Sequence, residues 1–229
     1  MTLWAVTARA ADPTSAETSR VATAAANAPS QIATDKVVEA PVPGPLYTNS
    51  IGMECLKMPG GFWAGKYEVT QKQYQKVMAA NPSEFAGETQ PVENVIWDEA
   101  MQFCQKLTEL ELKNKAMPAG YHYMLPTEDE WLSLVADASL ETAVTSISRA
   151  TRSAPSTVGS LGANSLGLYD VRGNVMEFCL TDPAQPFRIL KGGSWRDFVE
   201  VNLRPEFRWY CKPDERQNTF GFRCVLKAN

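Results

Sequence analysis

The chain has one histidine, no dense run of Lys and Arg, and no apolar stretch near the ~20 residues that a membrane-crossing helix needs. A single imidazole, His122, excludes any metal centre built from several histidines. Placed between Tyr121 and Tyr123 ahead of MLPTE, it reads as a strand or turn residue, and no nucleophile stands out to complete a catalytic triad with it. The missing basic run argues against a nucleic-acid surface, because neutralising phosphates takes clustered cations. Neither a membrane span nor an internal repeat is expected. What is present is 229 residues, 44% of them hydrophobic, with a formal charge of -4. That suffices for one sizeable globular core plus some length outside it.

The first stretch lacks a basic opening but is otherwise suggestive. Met1 to Ala8 is uncharged and mostly apolar, and Ala8-Arg9-Ala10 puts small residues where a signal peptidase cuts. Residues 1–10 are read either as the remainder of a secretory signal whose front lies upstream or as an ordinary tail; with the cysteines discussed below, an extracytoplasmic location (periplasmic or secreted) is the expectation. Residues 11–45 are rich in Ala, Thr, Ser and Pro and end in the run Ala40 to Pro45. With almost no large apolar side chains they cannot offset their chain entropy, and they read as a disordered linker. The folded domain is expected over 46–229.

Within that domain, local signals place helices. Thr70 with Gln73 forms a capping box ahead of Tyr74, Val77 and Met78, predicting a helix from about Thr70 to Ala80 that Asn81-Pro82 stops. Asp98 is the expected cap of a second helix with an apolar face of Ala100, Phe103, Cys104, Leu107 and Leu110. Thr127 and Glu130 form another capping box that opens a helix through Trp131, Leu134 and Val135. Beyond Asp137, Gly, Pro, Asn and Ser punctuate short apolar segments such as Phe187 to Leu190 and Phe222 to Leu226, which predicts loops and short strands. Disulfides or bound metal are the usual devices that keep such a region ordered.

The last third is the most specific part of the chain. GLYDVRGNVMEF (Gly167 to Phe178), LKGGSW (Leu190 to Trp195), RPEFR (Arg204 to Arg208) and GFRC (Gly221 to Cys224) follow in order. With KYEVTQKQY (Lys66 to Tyr74), PVENVIWDEAMQFC (Pro91 to Cys104) and MLPTEDEW (Met124 to Trp131), the series resembles the formylglycine-generating enzyme family, also called sulfatase-modifying factors, across nearly the whole domain. The resemblance implies an α+β domain of C-type lectin-like fold, loop-rich with little regular secondary structure. The capped helices and the loop-rich second half agree with it independently.

The resemblance also carries expectations for single residues. Cys104 and Cys224 occupy the positions of a disulfide between a helix and the last strand; the alternative is two reduced, buried thiols. Cys211 resembles a family cysteine whose partner position holds Val135 here, so it pairs with Cys179 or Cys55 or stays free, and an odd total of 5 leaves at least one thiol unpaired. Active members hold copper with two thiolates, and soft sulfur is what selects Cu(I). Counting from Ser194 and from Cys211, those positions hold Asp197 and Glu206, and no cysteine lies between Cys179 and Cys211. Copper-dependent formylglycine formation is therefore not expected. Asp170, Gly173, Val175 and Glu177 resemble a family calcium loop of side-chain and backbone oxygens suited to Ca2+; the alternative is a Gly-Asn turn with Glu177 paired to an arginine. A second calcium site of the family falls in a shortened segment around Ser139 to Ser160 and cannot be assigned.

Two functions follow. One is a noncatalytic module presenting its C-terminal surface to a protein, peptide or glycan, with Trp195, Arg204, Arg208 and Trp209 as ligand-binding candidates. The other is a diverged enzyme using Asp197 and Glu206 in the old substrate groove, which requires the two carboxylates to converge in a pocket. Against both stands a plainer reading, in which Arg204 and Glu206 pair on a rim and the tryptophans belong to the core.

Overall fold

The computed structural model describes residues 42–147 and 152–228. The expected signal remnant and nearly all of the expected linker, residues 1–41, lie outside these. Two sheets and three helices carry the fold. The first sheet takes β1 (Leu46–Thr48), β2 (Glu54–Lys57), β3 (Trp63–Gly65), β4 (Tyr121–Met124) and β9 (Val225–Ala228) in the order β1-β2-β3-β9-β4, every pairing antiparallel. The second takes β5 (Met176–Phe178), β6 (Arg188–Lys191), β7 (Trp209–Cys211) and β8 (Phe220–Gly221) in the order β7-β6-β5-β8, with β5 and β8 parallel. Residues Phe222 to Cys224 carry the chain from the second sheet to the first. The expected apolar segment Phe222 to Leu226 is thus a crossover followed by a strand. Among the described residues no helix is long and apolar enough to cross a membrane.

The helices begin as their local chemistry dictates, with one exception. In α1 (Gln71–Met78), Thr70 Oγ1 accepts from Gln73 N at 3.3 Å while Gln73 Oε1 accepts from Thr70 N at 3.0 Å. The same reciprocal box joins Thr127 and Glu130 at the start of α3 (Glu128–Val135), at 3.1 and 2.8 Å. Helix α2 (Trp97–Lys113) starts earlier than an Asp98 cap would allow. Ile96 holds the extended capping conformation, Glu99 Oε2 accepts from its N–H at 3.2 Å, and Asp98 falls in the first turn, where its charge complements the helix dipole. The cause is tertiary: Trp97 Nε1 donates to Cys179 O at 2.8 Å, fixing Trp97 in the core.

Two apolar clusters fill the interior. One joins the inner face of α2 (Ala100, Phe103, Cys104, Leu107) to Tyr74, Phe220 and Phe222, with the Phe103 ring stacked on Tyr74 at 5.6 Å and set edge-on to Phe222 at 5.3 Å. The other gathers Trp131, Leu134 and Val135 of α3 with Phe62, Leu168, Val171 and Val225. The loop-rich second half is pinned by buried polar bonds. Asn174 Nδ2 and Val175 N donate to Glu68 at 2.6 and 2.9 Å, and Asn164 Nδ2 donates to Leu134 O at 2.7 Å at the end of α3.

Candidate functional site

The segment from the Gly192-Gly193 turn to Cys211 is where the family resemblance locates chemistry. Both glycines have positive φ, 91° and 71°, and a Cβ on Gly192 would stand 2.8 Å from Val171 O, so only glycine fits this turn. The turn delivers Ser194 and Asp197 to a buried corner. Asp197 Oδ2 accepts from both the N–H and the hydroxyl of Ser194 at 2.8 Å, and Oδ1 accepts from Asn202 Nδ2 at 2.8 Å. Its carboxylate is thereby committed to the local turn, with 8% of the residue exposed.

Glu206 is elsewhere. It is exposed and lines a surface cavity of about 380 Å³ with Val201, Arg204 and Phe207, a wall to which Asp197 does not contribute. The two carboxylates have different surroundings: Asp197 is bonded within the turn, and Glu206 borders an exposed cavity. Arg204 is exposed beside Glu206, but among the described residues no ion pair joins them. Arg208 pairs with Glu128. Trp195 is a core residue: its Nε1 donates to Asn218 O at 3.1 Å and its ring meets Phe85 edge-on at 5.5 Å. Trp209 is half-buried against the first cluster. Beside the charged Arg196, Glu200, Arg204, Glu206 and Arg208, the segment exposes apolar side chains, with Phe198 at 77%, Tyr210 at 53%, and Val199 and Val201 each near two-fifths.

A second constellation lies between the sheets. Glu177 on β5 is fully buried against Arg223, whose Nε donates to its two oxygens at 2.8 and 2.9 Å, while Trp131 Nε1 adds a third bond at 2.7 Å. Arg223 also reaches Gly65 O and Tyr169 O, at 3.0 and 2.8 Å. Burial works against its charge, and Glu177, with Glu68 and Asp170 behind it, more than offsets this and holds the guanidinium above its usual range. The expected calcium ligands Asp170, Gly173, Val175 and Glu177 follow one another around this turn, but the Glu177 oxygens already serve Arg223 and Trp131, as in the plainer alternative. Asp170 Oδ2 accepts from Gly159 N at 2.6 Å; burial nevertheless pushes its carboxyl up to about 6. Burial, then the charges of Asp170 and Glu177, push Glu68 well above the carboxylate range.

Glu68, Asn174 and Arg223 carry this cluster together with the expected ligands, yet sequence reasoning did not single them out. The available signal was a charged residue inside an apolar run: Glu68 precedes Val69 in KYEVT, and Arg223 stands between Phe222 and Cys224 in GFRC. A charge in such a setting is buried only with a partner.

All 5 cysteines are buried thiols. The Sγ atoms of Cys104 and Cys224 lie 3.5 Å apart, the neighbourhood a helix-to-strand disulfide requires. Burial pushes the thiols of Cys55 and Cys211 up to about 12 and those of Cys179 and Cys224 upward as well, so none of these four is disposed to be a thiolate ligand or nucleophile at neutral pH. His122 is a β4 residue, as its flanking tyrosines suggested.

Residues 52–228 match a family described as sulfatase-modifying factor enzyme 1-like domain. Among curated proteins, the chain is 30% identical to a chaperone protein, LppX, of Paenibacillus barcinonensis, over 61% of this chain and 71% of that protein. It is 36% identical to the inactive C-alpha-formylglycine-generating enzyme 2 of Mus musculus, over 28% of this chain and only 23% of the mouse protein. Among solved structures, variable protein 1 of Treponema denticola superposes with a TM-score of 0.61 at 25% identity, covering 81% of this chain and 92% of that one. PvdO of Pseudomonas aeruginosa superposes with a TM-score of 0.64 at 17% identity, over 82% of this chain and 100% of that one, a likeness of fold.

Proposed function

The chain belongs to the family of sulfatase-modifying factor enzyme 1-like domains, and from that premise we propose that it is a member without the copper chemistry, an extracytoplasmic binding module whose C-terminal loops engage a protein, peptide or glycan. The observation that carries this reading is the state of residues 194–211. Asp197 is held in a turn, Glu206 lines a surface cavity with Val201, Arg204 and Phe207, and the same segment exposes Phe198, Val199 and Tyr210. Exposed apolar side chains interspersed with charge, in a segment that also borders a cavity, are what a recognition surface offers.

A paired Phe198→Ser and Tyr210→Ser variant tests the surface. Phe198 is exposed, and Tyr210 meets the Phe187 ring edge-on at 5.0 Å, so the fold should lose no more than about 1 to 2 kcal/mol. Screening wild type and variant against displayed peptide libraries and glycan arrays should give binders of the wild type that the variant loses. Binders shared equally by both would remove this surface from the account.

Calcium belongs to the same reading. The cluster's donors are hard oxygens, and its acids outnumber its bases, with Glu68, Asp170 and Glu177 set around Arg223. Such a surplus fits a hard divalent cation. Asp170 and the carbonyls of Gly173 and Val175 would hold it, with Glu177 shared between the ion and Arg223. Among the described residues no three acidic, histidine or cysteine side chains stand in metal-holding geometry, so backbone carbonyls are essential to the set. Binding at a hundredfold excess over Kd would stabilise the fold by about 2.7 kcal/mol. Thermal unfolding should therefore shift upward with Ca2+ in the wild type and not in Asp170→Ala. No shift in the wild type would take calcium out of the account.

In an oxidising compartment Cys104 and Cys224 are expected to bond. The loop they close spans a sequence separation of 120, worth roughly 4 to 5 kcal/mol in the chain-entropy picture. Peptide mapping without reductant should recover the linked pair, and Cys224→Ser should lower the midpoint of unfolding under oxidising but far less under reducing conditions.

A further inference from the structure

Strand β7 is an edge of the second sheet and pairs on one side only, with β6. The alternation along β6 decides which backbone groups of β7 that pairing uses. Cys179 N donates to Ile189 O at 3.0 Å and Ile189 N to Thr181 Oγ1 at 3.4 Å, so Ile189 turns its backbone to the β5 side. Arg188 and Leu190 therefore turn theirs toward β7, where they stand opposite Cys211 and Trp209. Tyr210, between those two, points its N–H and C=O away from β6, and so does Arg208 two positions before it. Among the described residues no group bonds to the backbone of either. Beyond them the edge is closed, because Lys212 N donates to Glu215 Oε2 and Glu215 N to Lys212 O, both at 3.1 Å.

The same alternation puts the side chains of Arg208, Tyr210 and Lys212 on one face. Two contacts agree with this: Tyr210 meets the Phe187 ring at 5.0 Å, and Arg208 Nε bonds to Glu128, which lies 4.0 Å from Lys191 on β6. All three side chains are exposed. The bond to Glu128 uses one of the three guanidinium nitrogens of Arg208, and among the described residues no carboxylate pairs with the Lys212 ammonium. Every second position of this edge thus reads basic, aromatic, basic.

That order selects the occupant. Antiparallel pairing of two copies of β7 about Tyr210 would set Arg208 against Lys212 of the second copy, twice, and like charges directly opposite are destabilising. An extended segment with an acid two positions to either side of an apolar residue reverses both contacts.

We propose that the β7 edge takes an acidic, extended peptide by antiparallel strand addition. An apolar residue of the peptide stands opposite Tyr210 and exchanges two backbone hydrogen bonds with it, and acids stand opposite Arg208 and Lys212. This rests on the binding reading above and narrows its ligand to a peptide. Backbone pairing supplies affinity, and the alternate side chains supply the choice of sequence.

The probe is the blocked peptide acetyl-Glu-Thr-Val-Thr-Glu-amide, compared with its Lys-Thr-Val-Thr-Lys counterpart by NMR of the 15N-labelled chain. The expected result is a saturable shift of the Arg208 and Tyr210 amides with the acidic peptide, and slower hydrogen exchange at both. The basic peptide should bind about tenfold more weakly. N-methylation of the central valine removes the N–H that reaches Tyr210 O and should weaken binding about tenfold or more. N-methylation of the threonine after it, whose N–H faces away, should cost no more than about twofold. Lys212→Glu, an exposed change, should weaken the acidic peptide about two- to fivefold. No shift of the β7 amides at millimolar peptide, equal binding of the two N-methylated peptides, equal binding of the acidic and basic peptides, or full affinity in Lys212→Glu would each overturn the assignment. The Phe198→Ser and Tyr210→Ser variant keeps the backbone edge, so the two readings fail separately. Library binders that this variant loses but that leave the β7 amides of the wild type unprotected would keep the recognition surface and remove strand addition alone.

Discussion

Arg223→Met is expected to cost about 3 to 5 kcal/mol of stability, the largest single effect of any substitution considered. The guanidinium serves three elements at once: Glu177 on β5, Gly65 O at the end of β3 and Tyr169 O in the loop before β5. Removing it leaves Glu177 buried with Trp131 as its remaining bonded partner and strands two carbonyls. Moving a charge out of water is compensated here by pairing, so loss of one partner costs more than the pair contributes net. Urea denaturation of Arg223→Met, Glu177→Met and the double variant separates these effects. The double variant should recover part of the loss, because it no longer contains an uncompensated buried charge. A midpoint for Arg223→Met within about 1 kcal/mol of the wild type would show that the cluster is not what joins the sheets.

In metal-free buffer Asp170 should make a contribution to stability that is lost as pH rises from about 4 to about 6, read as the difference between the wild type and Asp170→Asn. Asp170 has its carboxyl pushed from 3.8 up to about 6 by burial, so between these values the folded chain holds a proton that the unfolded chain releases. The stability tied to that proton is complete below the unfolded value and is lost as pH rises through the folded one. The shift corresponds to roughly 3 kcal/mol. Glu68, pushed up by the same burial and by its acidic neighbours, acts in the same direction. Asp170→Asn keeps the acceptor for Gly159 N while removing the charge, and should therefore stabilise the metal-free fold at pH 7 by about that amount while changing little at pH 4. Thermal melts across this window check it. Equal melting of variant and wild type at neutral pH would mean that the carboxylate is not confined as described.

Both predictions concern a cluster that was only half legible in the sequence. Asp170 and Glu177 stood out because GLYDVRGNVMEF keeps them in a short loop, whereas Glu68 and Arg223 reach the same place from motifs far away in the chain. The separation between Glu177 and Arg223 is 46 residues, and nothing local announces their pairing. Thr70-Gln73 and Thr127-Glu130 were readable for the opposite reason, since a capping box is complete within four residues. Asp98 misled because the start of α2 is decided by the bond from Trp97 to Cys179, at a separation of 82 residues. Asp197 and Glu206 were identified by spacing from Ser194 and Cys211, but spacing fixes the position and not the environment. One carboxylate is enclosed by Ser194 and Asn202, and the other faces solvent. Trp195 and Trp209, binding candidates because they stand beside Asp197 and Glu206 in the sequence, pack against the interior, while among the described residues the large exposed aromatics are Phe198 and Tyr210.

The proposed calcium loop and the proposed lack of a copper centre in this member of the family can be checked together by elemental analysis of the purified chain, prepared with both copper and calcium supplied and then desalted. Calcium retained in stoichiometric amount with copper at background is the predicted result. Copper retained in stoichiometric amount would contradict it, since no thiolate pair stands between Cys179 and Cys211 to hold that metal.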